Sequence, residues 1–152
     1  GAEHRGVHQL IAPAVAAVPG TELYLAMREE RWRDREEMRA FYHSLEVYVC
    51  ASRTEGTPNP CLEAAACGLP VITTRVGNMP ELIRDGENGF FVEREVADIA
   101  EKLARLRDDP ELRGRLGRAA REHGLYLVCC NDTVEPDGRE ANVSFLLGRE
   151  AA

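Results

Sequence analysis

Several features are scarce in this chain, and each scarcity excludes a class of protein. Basic residues are fewer than acidic ones, 19 against 26, and the resulting net charge of -7 argues against a general nucleic-acid binder. No apolar run reaches the roughly 18 residues of a membrane-spanning helix, and no segment has the pattern of a secretory signal peptide. The 4 histidines are scattered and the 5 cysteines form no pair of CxxC motifs. We therefore expect a cytoplasmic protein without a transmembrane segment, a bound metal or a nucleic-acid partner.

What remains is the composition of an ordinary globular domain. With 152 residues, 44% of them hydrophobic and 30% charged, the chain is long enough for one domain with its own core. Cys50 and Cys61 lie among apolar residues and are interpreted as small core side chains, whereas the adjacent pair Cys129 and Cys130 is interpreted as part of a strand. This use of cysteine fits a reducing compartment.

Helical and extended patterns alternate along the first third of the chain. Apolar residues at positions 7, 10, 11, 14 and 15 recur at the helical period, and Pro13 interrupts that helix before Gly20 ends it. The elements predicted next are a strand over 23–27, a helix with one apolar face over 38–45, and a buried strand over 46–52.

The alternation continues through the rest of the chain. A loop over 52–59 leads into a helix that Asn59 is expected to cap, that begins at Pro60 and that Gly68 ends. The elements predicted after it are a strand over 71–73, a capping box from Asn78 to Glu81, a strand over 90–92, a helix carrying Ile99, Leu103 and Leu106, and a helix from Asp109 to Gly124. This order predicts the α/β class, with a parallel sheet covered by helices on both faces. Ligands in such folds bind beyond the carboxyl ends of the strands, where the 52–59 loop would lie.

Two carboxylates mark this predicted binding edge. Glu55 lies on the loop and Glu63 lies early in the helix that follows, so both can face one crevice. Their oxygens suit hydroxyl-rich ligands such as sugars, and the free amides of a helix N-terminus suit a phosphate. From spacing alone, Glu63 can equally be a favourable charge near a helix N-terminus and Glu55 a solvated loop residue.

The sequence around these residues resembles the glycosyltransferase group 1 family, also called family 4. Its hallmark is two glutamates separated by seven residues, then a small-residue helix, Gly-Leu-Pro-Val and a Gly-x-x-Pro-Glu turn. Here these are Glu55 to Glu63, Ala64 to Cys67, Gly68 to Val71, and Gly77 to Glu81. The resemblance covers most of residues 1–124. It implies the C-terminal, donor-binding half of a GT-B enzyme, a Rossmann-like three-layer domain.

The resemblance also assigns roles to residues. Glu55, the catalytic candidate, would contact hydroxyls of the donor sugar, and Glu63 would contact the ribose of the nucleotide. Loop amides near Gly56, Thr57 and Asn59 would approach the sugar or the diphosphate.

One departure from the family pattern concerns the donor loop. Pro58 and Pro60 replace residues that are Gly and an aliphatic residue in many members, and proline has no N–H to donate. We expect the side chain of Asn59 to replace one of the lost donors.

The chain ends suggest a rearrangement. His4-Arg5-Gly6 matches a basic residue and glycine that follow the family's first strand, which makes Arg5 a candidate for diphosphate contact. That strand normally ends in Gly-Arg, and the run ANVSFLLGRE near the C-terminus ends in Gly148 and Arg149. We therefore predict that 1–152 is one circularly permuted domain, in which 1–124 is the family core and 125–152 is the first-strand region moved to the C-terminus. Arg149 would then join Arg5, although an unrelated tail with a strand pattern is the alternative.

The activity implied is retaining transfer, of the hexosyltransferase type, from a nucleoside-diphosphate sugar without a metal or other cofactor. The acceptor site would lie on an N-terminal domain that is not found in this sequence, so the chain alone is expected to show little or no transfer. Two alternatives stay open. One is a non-catalytic module that binds a nucleotide or sugar phosphate, and the other is an incomplete permuted fragment that forms a domain-swapped homo-oligomer.

Overall fold

The computed structural model describes residues 5–26 and 33–130, with side chains as far as His123. In chain order the elements are a π-helical turn (Val7–Ile11) that continues into α1 (Ala12–Ala16), α2 (Arg35–His43), β1 (Tyr48–Cys50), α3 (Asn59–Ala66), β2 (Val71–Thr73), α4 (Met79–Leu82), β3 (Gly89–Phe91), α5 (Val96–Asp108) and α6 (Pro110–Cys130). Within these described ranges, no helix is both long and apolar enough to cross a membrane.

The three strands form one parallel sheet in the order β1-β2-β3. Tyr48 pairs with Val71, and Val71 pairs in turn with Gly89, so the strands are in register from their first residues. Because the strands are parallel, their carboxyl ends lie at one edge of the sheet. The sequence prediction of an α/β domain with a parallel sheet is confirmed.

Side chains on the two faces of the sheet belong to two separate hydrophobic clusters. Ile72 points into one cluster with α1 and α5, whose buried members include Ala14, Ile99 and Leu106. Its neighbour Val71 belongs to the opposite cluster, with buried residues of α2, α3 and α4. The alternation of side chains along β2 thus separates two helical layers, which gives the predicted three-layer arrangement.

Local sequence signals explain where several helices begin and end. Asp34 and Glu37 form a capping box at the start of α2, since each side chain accepts a hydrogen bond from the other's backbone N–H, at 2.9 and 3.0 Å. Gly68 has a φ of 81° and ends α3 as predicted. At the start of α6, the Asp109 side chain accepts from the Leu112 N–H at 2.9 Å.

Two predicted caps are wrong. Asn59 is the first residue of α3, one position later than a cap, and no side chain caps this helix. Asn78 precedes α4, but its side chain makes no capping hydrogen bond, and its buried Oδ1 has no partner in the structure. In both cases a proline follows within two residues, and it removes an N–H that a cap would otherwise satisfy.

Two predicted strands are also wrong where the structure describes them. Residues 21–26 have no regular structure, and the side chains of Leu23, Tyr24 and Leu25 are exposed. Within the described part of the chain no strand pairs with this segment, so its backbone takes no part in the sheet. Helix α6 continues beyond Gly124 to Cys130, so the strand expected over 125–130 is a helix, because a single glycine without a following proline does not stop it. The run 141–150 lies outside the described residues.

Candidate functional site

The loop between β1 and α3 is tied to the sheet at its start. Ser52 follows β1 and is fully buried. Its carbonyl oxygen accepts a hydrogen bond from the Thr74 hydroxyl at 2.7 Å, just beyond the end of β2. The Arg94 side chain, from the segment after β3, donates to the neighbouring carbonyl of Ala51. The first residues of the loop are therefore fixed by segments that follow both other strands.

The crest of the loop is held by an unusually close backbone approach. Gly77 has a φ of 52°, and a Cβ atom built on it would lie 1.8 Å from the carbonyl oxygen of Gly56. The next residue, Asn78, donates its N–H to that same oxygen at 3.2 Å. Only glycine fits at position 77, both because of its left-handed backbone and because any side chain would displace the loop.

Glu55 lies just before this crest and is half-buried. The hydroxyl of Ser52 donates to its Oε1 at 2.9 Å, and this bond orients the carboxylate from within the loop. The second oxygen remains able to accept further hydrogen bonds, because an ionised carboxylate has about four acceptor positions.

Glu63 is oriented by a different element. It lies in the second turn of α3, and its Oε2 accepts a hydrogen bond of 2.7 Å from the hydroxyl of Tyr42 in α2. Burial raises the pKa of the Glu63 carboxyl, while the Tyr42 hydrogen bond acts in the opposite direction. Burial, reinforced by the nearby Glu63 charge, raises the pKa of the Tyr42 phenol, so this group stays protonated and remains a donor.

Two cavities lie against these carboxylates. The smaller, of about 140 Å³, is lined by Glu55, Thr57, Ser52 and the two buried thiols of Cys50 and Cys61. The larger, of about 820 Å³, is lined by Glu63 and Tyr42. It extends along the free edge of β1, which is the edge opposite β2, with which no described strand pairs. Both cavities share lining residues, namely Arg5, Tyr48, Cys50, Asn59 and Pro60.

The start of α3 offers fewer free amides than the sequence predicts. The Asn59 N–H donates to the Thr57 carbonyl at 2.9 Å, and the Cys61 N–H donates to the Pro58 carbonyl at 2.8 Å. Pro60, between them, has no N–H. The first three positions of the helix therefore present no unpaired backbone donor, and the expectation of free helix-end amides for a phosphate is wrong here. Among the side chains here, that of Arg5 is exposed and lines both cavities.

The structure brings most of the predicted site residues together. Arg5, Glu55, Thr57, Asn59 and Glu63 line one or both cavities. Gly56 lines neither cavity, and its carbonyl is engaged by Asn78. Arg149 lies outside the described residues.

Two supporting residues were missed at the sequence level. Ser52 directly follows a buried strand, where a binding loop begins, and its position could have indicated a role. Tyr42 is interpreted from the sequence only as one residue of an apolar helix face. Its partner Glu63 is 21 residues away, so no local pattern connects the two.

The site can offer carboxylate acceptors, a nearby cation and two cavities that share lining residues. Such a set suits a ligand with both hydroxyl and anionic parts. Among the residues that the structure describes, no group of three or more His, Cys, Asp or Glu side chains is arranged to hold a metal ion.

Comparison with known proteins places this arrangement in a family. The family described as glycosyl transferases group 1 matches residues 31–123. A D-inositol 3-phosphate glycosyltransferase from Arthrobacter is 43% identical over 88 residues, which cover 57% of this chain and 21% of that protein. The chain thus spans about a fifth of the length of the curated relatives that it matches.

Solved structures agree with this match. The C-terminal domain of the group 1 family protein LpcC from Francisella tularensis is 38% identical, with a TM-score of 0.57 over 61% of this chain and 48% of that one. The pneumococcal O-GlcNAc transferase GtfA, solved with UDP and GlcNAc, is 28% identical, with a TM-score of 0.51 over 58% of this chain and 19% of that one. By its sequence, its parallel three-layer fold and these similarities, the chain belongs to the group 1 glycosyl transferases and carries a C-terminal domain of this family, with the Rossmann-like architecture of GT-B enzymes.

Proposed function

We propose that this chain is the donor-binding domain of a retaining glycosyltransferase that takes its sugar from a nucleoside-diphosphate sugar. The observation that carries the proposal is the pair of oriented carboxylates. Ser52 holds Glu55 beside one cavity and Tyr42 holds Glu63 beside the other, with Asn59 and Arg5 lining both. The complex of GtfA with UDP and GlcNAc supports a ligand of this class.

The two cavities suggest where each part of such a donor would bind. Glu63, on the larger cavity, would accept hydrogen bonds from the ribose hydroxyls. Glu55, on the smaller cavity and close to Thr57, would accept from hydroxyls of the sugar. Arg5 lines both cavities and would contact the diphosphate between them. Its positive charge would stabilise the negative charge that develops on the leaving group, without a metal.

A calorimetric titration of the full chain with UDP, GDP and ADP tests this function. We expect saturable binding of one nucleotide, lost in Glu63→Ala because the half-buried carboxylate proposed to accept ribose hydroxyls is removed. Glu87→Ala removes an exposed carboxylate from a turn away from both cavities and serves as the matched control. Binding that survives in Glu63→Ala, or no binding of any of the three nucleotides, contradicts the proposal. Addition of EDTA is expected to leave the affinity unchanged.

We further propose that catalysis needs a second domain that carries the acceptor site. The chain matches about a fifth of the length of its curated relatives, which are named as glycosyltransferases. The purified chain should therefore bind nucleotide yet transfer no sugar at a measurable rate. A normal transfer rate by this chain alone would rule the idea out.

The predicted permutation also stays a proposal, and the free edge of β1 supports it. Tyr48 donates its N–H to Pro70, and the Cys50 carbonyl accepts from Thr74, both on the β2 side. Because hydrogen-bonding groups alternate along a strand, Val49 directs its N–H and C=O to the opposite edge, along the large cavity. We propose that the run from Ser144 to Leu147 joins this edge as a further strand and brings Arg149 to the site. The segment 131–142 can span up to about 40 Å when extended, which is ample for a domain of this size.

A further inference from the structure

A buried tyrosine makes direct contact with the carboxylate that is assigned above to the ribose. Tyr42 is only 1% exposed, and its hydroxyl lies 2.7 Å from Glu63 Oε2. The tyrosine ring is itself held by edge-to-face contacts with Phe41 and Tyr48, at centroid distances of 5.9 and 6.0 Å. The donor is therefore rigid, and it fixes the carboxylate to which it binds.

The hydrogen bond leaves the carboxylate ready for a ligand. A tyrosine hydroxyl supplies a single proton to Oε2, whereas the ionised group has several remaining acceptor positions. Because a glutamate side chain has three rotatable bonds, an untethered Glu63 would sample several orientations beside the cavity. The contact with Tyr42 selects one of them before any ligand arrives.

The same contact influences the charge of Glu63. Burial raises the pKa of this carboxyl, and the Tyr42 hydrogen bond lowers it by stabilising the ionised form. The Glu63 charge also acts on Tyr48 on β1 and on Cys67, which directly follows α3. The cations Arg39 on α2 and Arg121 on α6 act on Cys67. Tyr42 is the group that donates a hydrogen bond to the carboxylate itself.

We propose that Tyr42 is a positioning residue of the donor site, which holds the Glu63 carboxylate aimed at the ribose. This inference rests on the proposed role of Glu63. It goes further in naming a second element, helix α2, that determines the affinity for a nucleoside.

The test is a titration of Tyr42→Phe, in the full chain, with the nucleotide that the parent protein binds. Loss of a hydrogen bond to a charged group should weaken binding about tenfold at alkaline pH. The loss should grow as the pH falls, because the Phe variant has the higher Glu63 pKa and its Glu63 is protonated first. A merely structural role would lower the affinity by the same factor at every pH.

A matched control exists in the chain. On α5, Lys102 donates to Oε1 of the exposed Glu101 at 3.1 Å, and neither residue lines a cavity. Lys102→Met should leave the affinity and its pH profile unchanged. In a Glu63→Gln background, Tyr42→Phe should cause little further loss, because the charged acceptor is already gone.

Each outcome decides the question. If Glu63→Ala abolishes binding while Tyr42→Phe binds like the parent at every pH, the positioning role is wrong and the proposed function stands. A loss that is independent of pH also overturns the positioning role, and thermal unfolding of the variant will show whether it reflects weakened folding. If the parent protein binds no nucleotide, both proposals fail together.

Discussion

Strand β1 has two edges that differ sharply. On the β2 side its carbonyl and amide groups are paired, and the loop that follows is fixed by Thr74 and by the close approach of Gly77. On the other side lie the 820 Å³ cavity and the irregular segment 21–26. The comparison teaches that the paired edge positions the loop that carries Glu55, while the free edge is where the proposed further strand would join the sheet.

The largest effect is expected from removing the proposed occupant of the free edge. A chain that ends at residue 141 should lose cooperative thermal unfolding, because the proposed strand is deleted and the apolar cavity is left open to water. A chain that ends at Arg149 retains the strand and is the control. Equal melting temperatures for the full and shortened chains would contradict the proposed permutation. A molecular mass in size-exclusion chromatography that rises with concentration would instead indicate a swapped dimer.

The next largest effect is expected on the paired edge. Gly77→Ala should lower the free energy of unfolding by about 1–3 kcal/mol, because an alanine with a positive φ is strained and its Cβ meets the Gly56 carbonyl. It should also weaken nucleotide binding, since the loop that carries Glu55 must move. Gly86→Ala is the control, because Gly86 also has a positive φ but has open space where the Cβ would lie. It therefore measures the backbone strain without the contact with the Gly56 carbonyl. Similar nucleotide affinities for the two variants would show that the loop position does not matter.

Arg5 lines both cavities, and removal of its side chain should have a smaller effect, on nucleotide binding. Arg5→Ala is expected to weaken UDP, GDP or ADP binding about tenfold at low salt, with the difference shrinking as ionic strength rises. Calorimetry at two salt concentrations measures this, with Arg84→Ala, an exposed arginine outside both cavities, as the control. A loss that is independent of salt would indicate a packing role for the Arg5 side chain.

The smallest effect is expected in the irregular segment if the free edge stays unoccupied. Leu25→Ser should then change the free energy of unfolding by less than about 0.5 kcal/mol, because this side chain is already partly exposed. Ile72→Ala, at the fully buried centre of β2, should cost about 2–5 kcal/mol in the same denaturant titration. A large cost at Leu25 would mean that this segment packs more tightly in solution, as a completed sheet would require.

The contrast also explains what the sequence could predict. The strand at 71–73 was identified with correct ends, since it is apolar, β-branched and bounded by Gly68 and Pro70. The predicted strand at 23–27 failed because a strand depends on a partner that its own residues do not encode. Likewise, Glu55 and Glu63 could be found by their spacing, whereas the bond from Tyr42 to Glu63 could not, because tertiary packing brings the two together.

The start of helix α3 has a consequence for the kind of ligand recognition this domain performs. With Pro60 lacking an N–H and the Asn59 and Cys61 amides engaged by the loop, the backbone there gives no preorganised cradle for a phosphate. Such cradles bind anions through neutral dipoles, which cannot rearrange. We therefore expect the diphosphate to be bound by guanidinium groups such as that of Arg5, whose attraction for the ligand is screened by dissolved ions. The strength of donor binding should therefore respond to the ionic composition of the surroundings as well as to the shape of the nucleotide.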